Sequence, residues 1–123
     1  MGSSLLLQLA RDSMLEVYQA KRLIDKEKLL QEHPILATPM ACEVTIYLDE
    51  QPFSSFKSED DKPLLENIIL AAKKAAFETD PKQILTSREY LHAEVELTLF
   101  TPDGAISERD EPILNDKDAL VSL

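Results

Sequence analysis

Two runs of alternating apolar and polar residues stand out along the chain. Leu91, Ala93, Val95, Leu97 and Leu99 alternate with His92, Glu94, Glu96 and Thr98. A period of two gives a strand with one dry face and one wet face. Cys42, Val44, Ile46 and Leu48 alternate in the same way with Glu43, Thr45, Tyr47 and Asp49, which predicts a first strand. Asp49-Glu50-Gln51-Pro52 reads as a turn, and Phe53 to Lys57 as a weaker returning strand.

The remaining apolar positions recur at helical spacing. Leu6, Leu9, Ala10, Met14, Val17 and Tyr18 predict a helix to about residue 21, capped by Ser3 or Ser4, with Gln8, Arg11, Asp12, Glu16 and Gln19 mostly on its polar side. Asp25 caps a short second helix to Glu32, which His33-Pro34 stops. Residues 34–39 read as an extended linker. A third helix is expected over Pro63 to Glu78, burying Leu65, Ile68, Ile69, Ala72 and Ala76, while Lys73 and Lys74 interrupt an otherwise apolar cylinder. Thr86-Ser87-Arg88-Glu89 looks like a capped single turn, and Pro102-Asp103-Gly104 like a tight turn. Beyond it, Ile106, Ile113 and Leu114 are scattered among charges, which fits a short edge strand or a weakly ordered tail over 103–123.

This order predicts a single α+β domain over residues 1–123: a small antiparallel sheet with helices packed on one face. Met1 to Ser4 carry no weight in it. The strands are few for the apolar area that the helices offer. An open edge, or a dimer that extends the sheet, is therefore expected.

Composition narrows the function. With 23 acidic and 13 basic residues the formal charge is -10. Nucleic-acid binding needs a basic face, and the strongest basic clusters, Lys21-Arg22 and Lys73-Lys74, sit in helical segments as solvated edges, so no nucleic-acid partner is expected. The same charge opposes an anionic membrane surface. Leu5 to Leu7 is too short for a signal core or a membrane span. Cys42 is the only cysteine, so no disulfide forms within the chain and a cytoplasmic location is the default expectation. Gly2 and Gly104 are the only glycines. Phosphate-cradling loops, dinucleotide turns and nucleophile elbows need glycine where backbone meets ligand, so nucleotide-dependent enzymes of the common kinds are disfavoured and no cofactor is expected.

The candidate chemistry is thin. His92, Glu94 and Glu96 would stand in one wet row, about 7 Å apart. That is a conceivable metal site, with a third ligand from Glu43, Thr45 or Tyr47 if the two strands are neighbours. A straight strand splays its side chains, however, and metal ligands normally converge from several elements, so a solvated face is the simpler reading. Cys42 falls on the dry side of its strand, where a thiol is a small hydrophobe with an unshifted or raised pKa. A nucleophilic role would need His33 or His92 beside it. Ser54 and Ser55 lack a G-x-S-x-G setting. The acid-rich stretches 58–61 and 107–116 lack calcium-loop spacing and read as solvated loops.

Three segments carry a family resemblance: LLLQLARDSMLEVY, PLLENIILAAKKAAFETDP and LTSREYLHAEVELTLFTP. From Leu5 to Asp110 the chain resembles the AMMECR domain family in its order of elements, with MACEVTIYLD in the place of that family's first strand. The resemblance implies an α+β fold around a central antiparallel sheet. The family hallmark R-G-C-I-G follows that strand, whereas this chain reads QPFSSFK there, without arginine, cysteine or glycine. No functional residue carries over. The missing glycine motifs, the missing hallmark and an unclosed sheet point to a non-catalytic domain acting through self-association or another protein. A metal-dependent or small-molecule-processing enzyme using the acidic strand face is the alternative, and a carrier with a pocket between the long helix and the sheet is a third.

Overall fold

Residues Leu5–Gln19 form α1 in the computed structural model, which describes residues 5–79 and 84–114. The expected Ser3 or Ser4 cap lies outside the described residues. The helix ends where Ala20 turns to φ +52° and the Lys21 amide donates to the Glu16 carbonyl, a left-handed exit typical of helix C-termini. Helix α2, Lys26–Glu32, carries the predicted cap: the Asp25 carboxylate accepts from the Lys28 amide.

The linker expected at 34–39 is in part a helix. Pro34–Ala37 make a 3-10 turn, because proline at the first position needs no amide partner and the turn drives Leu36 wholly out of water. The Thr38 carbonyl then accepts from the Leu64 amide and straps this turn to the next helix.

Strands β1, Ala41–Leu48, and β2, Gln51–Lys57, form a hairpin. Its tight turn is Asp49-Glu50, both at positive φ (52° and 65°), the twist that matches flanking strands. A bulge lies between Ile46 and Tyr47, and Pro52 sits in the edge strand, where a missing amide is tolerated. Ser58, expected in a solvated loop, is buried instead: its hydroxyl accepts from the Cys42 amide and donates to the Cys42 carbonyl.

Helix α3, Leu64–Phe77, buries the predicted stripe Leu65, Ile68, Ile69, Ala72 and Ala76, and also Leu64, Asn67, Ala71 and Ala75. It is dry on two sides because the sheet packs on one and α1 on the other. Each fully buried Leu or Ile contributes about 1.5–3 kcal/mol. The Asn67 side-chain Nδ2 donates to the Met40 and Lys62 carbonyls and so ties the helix start to the chain entering β1.

The strand expected from residue 91 starts later. Thr86 and Glu89 form a complete capping box, and the turn it nucleates runs on as α4, Ser87–His92. The helical path buries Tyr90 against Tyr18, their rings 5.5 Å apart. β3 is Glu94–Thr101, and β4, Gly104–Arg109, returns from the Pro102-Asp103 turn. The tail expected from residue 103 is thus an edge strand through Arg109, and residues 115–123 lie outside the described part.

The sheet is antiparallel throughout, in the order β2-β1-β3-β4. Helix α3 lies over β1 and β2, and α1 lies over β3. The result is the expected α+β fold with helices on one face. The core joins Val44, Ile46, Val95 and Leu97 to the apolar sides of α1 and α3. Among the described residues no helix is long and apolar enough to cross a membrane.

Candidate functional site on the open sheet face

The strand register brings the wet rows of β1, β3 and β4 side by side. Thr45 lies opposite Glu96, Tyr47 opposite Glu94, Glu96 opposite Arg109, and Thr98 opposite Ser107. Their side chains form one network. Arg109 sits over the Tyr47 ring, 3.9 Å from its centroid, and donates at 3.0 Å to both oxygens of Glu94. The Tyr47 hydroxyl donates to Glu96 at 2.9 Å. Thr98 and Ser107 share a hydrogen bond of 2.7 Å. At the other end of the face Lys57 stands 4.3 Å above the Phe100 ring. Stacking and charge-assisted bonds fix these rotamers in advance, which lowers the entropy lost when a partner docks.

Electrostatics argue against Tyr47 as a general base here. Donation to Glu96, with some burial, raises the Tyr47 phenol above its ordinary pKa. A phenol held protonated at neutral pH is a donor and a contact surface, and it is no general base. Glu94 and Glu96 already hold a guanidinium and a phenol.

His92 does not join the row. It closes α4, while Glu94 and Glu96 belong to β3, so the three side chains share no strand face. The cause is the capping box, which carries helical geometry three residues past Glu89. Among the described residues no group of three or more His, Cys, Asp or Glu is placed to hold a metal ion. The conditional neighbour did materialise: β1 lies beside β3, and Tyr47 reaches Glu96. Sequence reading overlooked Arg109, Lys57 and Phe100. Arg109 was recoverable, since a two-residue turn at Pro102-Asp103 pairs Thr101 with Gly104, and counting back sets Arg109 against Glu96.

Cys42 is fully buried, and desolvation pushes its thiol up to about 11, against a hydrogen bond shared with Ser58 that works the other way. The space between α3 and the sheet, where a carrier pocket was expected, is filled by Leu65, Ile68, Ala72, Val44 and Ile46. A cleft of about 730 Å³ opens elsewhere, between the end of α1, the 22–25 loop, the start of α2 and α3. Its charged lining is largely committed. Glu16 accepts from the Leu23 and Ile24 amides and pairs with Lys73 at 3.2 Å, and Lys26 pairs with Glu66.

No protein-family model matches the chain, and no curated protein matches it. Among solved structures it is similar to the uncharacterized protein PH0010 from Pyrococcus horikoshii, with a TM-score of 0.64 and 24% identity over 79% of this chain and 50% of that one. The chain therefore spans about half the length of that structure, and the likeness is one of fold.

Proposed function

We propose that this chain is a non-catalytic, AMMECR-like domain that works by docking the open face of its sheet against another protein. The observation that carries the reading is the locked Glu96–Tyr47–Arg109–Glu94 network, half-buried around an exposed Arg109 on a face that no described helix covers. Tyrosine and arginine dominate binding hot spots because they bring large contact area with few rotamers to freeze. The AMMECR likeness is supported by the order of elements across the three resembling segments. The non-catalytic reading is supported by QPFSSFK in place of the family hallmark, a segment folded as the edge strand β2.

Affinity capture from the source cell, comparing the native chain with a Tyr47→Ala/Phe100→Ala variant, tests the reading. A protein retained by the native chain and lost by the variant is expected, with the two melting at similar temperatures. Equal capture by both contradicts it.

A further inference from the structure

The two edges of the sheet are built differently. β2 carries Pro52, a bulge and Lys57, the devices that stop an edge from recruiting another strand. β4 pairs with β3 without a bulge, contains no proline or lysine, and has all six residues exposed. Helices lie over β1, β2 and β3, and β4 projects beyond them, leaving Ile106 60% exposed. We infer that β4 pairs antiparallel with β4 of a second copy about a two-fold axis at Ile106, doubling the sheet.

The register follows from the hydrogen-bond pattern. The Asp110 amide donates to the Val95 carbonyl, so Val95 and Asp110 are a hydrogen-bonded pair. In a regular antiparallel ladder such pairs alternate. Gly104, Ile106 and Glu108 therefore spend their amides and carbonyls on β3, and Ala105, Ser107 and Arg109 present theirs outward. A second strand can bond only to these odd-numbered residues, which leaves few registers. An axis at Ser107 sets Ile106 against Glu108. An axis at Ala105 sets Ile106 against Gly104, and an axis at Glu108 sets like charges together. With the axis at Ile106, Ala105 meets Ser107, Ile106 meets its own copy in a close non-hydrogen-bonded pair, and Asp103 at the hairpin tip meets the second copy's Arg109.

This arrangement matches charge to charge and apolar to apolar. It also continues the surface of Leu99, which lies opposite Ile106 and packs on the core. The net charge of -10 on each copy opposes association, but at physiological salt that repulsion is screened beyond roughly 8 Å. A ladder this short stays below the roughly 1,000 Å² of a stable interface, so the dimer is weak and exchanging. The pairing uses the strand edge and shares only Arg109 with the open face.

Cross-linking reads both the pairing and its register. Across a non-hydrogen-bonded pair the Cα atoms are about 4.5 Å apart, within disulfide reach. Residue 108 would lie roughly 14 Å from its own copy. With oxidised glutathione, Ile106→Cys should form covalent dimer about tenfold or more faster than Glu108→Cys; the only native thiol, Cys42, is buried. In parallel, light scattering of the native chain should rise above the monomer mass of 13.9 kDa with concentration, and Ile106→Lys should abolish the rise. Equal cross-linking of the two cysteine variants, or a native mass fixed at the monomer value, overturns the inference. Tyr47→Ala/Phe100→Ala should leave the cross-linking unchanged, so failure of the edge and failure of the open face are read separately.

Discussion

Arg11 Nε donates to Asp110 Oδ2 at 2.7 Å across 99 residues of sequence, with the two side chains 4% and 3% exposed. The guanidinium also donates to the Tyr90, Ala93 and Glu111 carbonyls, and Asp110 accepts from the Val95 amide. One buried ion pair thus fastens α1 to the exit of α4, the start of β3 and the end of β4. That clasp holds β4 in the register which places Arg109 over Tyr47. Removing one partner strands a buried charge, at a cost of about 3–5 kcal/mol, a large share of the roughly 5–15 kcal/mol that a domain has. Arg11→Met should lose that much in urea denaturation. Arg11→Met/Asp110→Leu should lose clearly less than the two single losses added together, because neither charge is then orphaned.

Glu16 gives a pH-dependent signature. Burial opposes its charge, but the Ile24 and Leu23 amides and Lys73 outweigh that effect and lower its pKa below the ordinary value of 4.5. A group with a depressed folded pKa contributes stability above its unfolded pKa and loses it as pH falls through the folded value. Glu16→Gln should therefore destabilise the protein at pH 7 by about 1–2 kcal/mol. The difference from the native chain should shrink below about pH 4, in the window beneath the ordinary glutamate pKa. Denaturation at a series of pH values checks it, and a gap that stays constant into acid would contradict it.

The β1–β2 turn holds two non-glycine residues at positive φ, Asp49 and Glu50, at a cost of roughly 1–2 kcal/mol each. Asn-Gly is the preferred pair for such a turn. Asp49→Asn/Glu50→Gly should raise stability by about 1 kcal/mol, read as a higher melting temperature, without altering the open face.

Cys42 should behave as part of the core. With its thiol buried and raised to about 11, labelling by a thiol reagent at pH 8 should proceed only through opening of the fold, and should accelerate in urea as the unfolded population grows. Fast labelling in buffer alone would contradict this.

The elements were legible in the sequence wherever one face of an element is dry. The alternation at 42–48 and 94–99, the α3 stripe and the Asp25 and Thr86 caps are local signals, and the chain folds as they indicate. Three things were not legible, each for a physical reason. Arg11 sits among polar residues of α1, yet it is buried because a carboxylate 99 residues away accepts from it. His92 continues an alternating pattern by coincidence, while the capping box upstream winds that segment as helix. The network on the open face depends on the cross-strand register, which no single strand encodes; only counting from the Pro102-Asp103 turn reaches Arg109.

Site-specific photo-cross-linking tests the central claim most directly. A photoreactive residue replaces Thr98, in the middle of the open face, or Lys28 on α2, and irradiation is carried out in the source cell. Covalent adducts to a second protein should form from position 98 and not from position 28. Adducts from position 28 with none from position 98 would contradict the account.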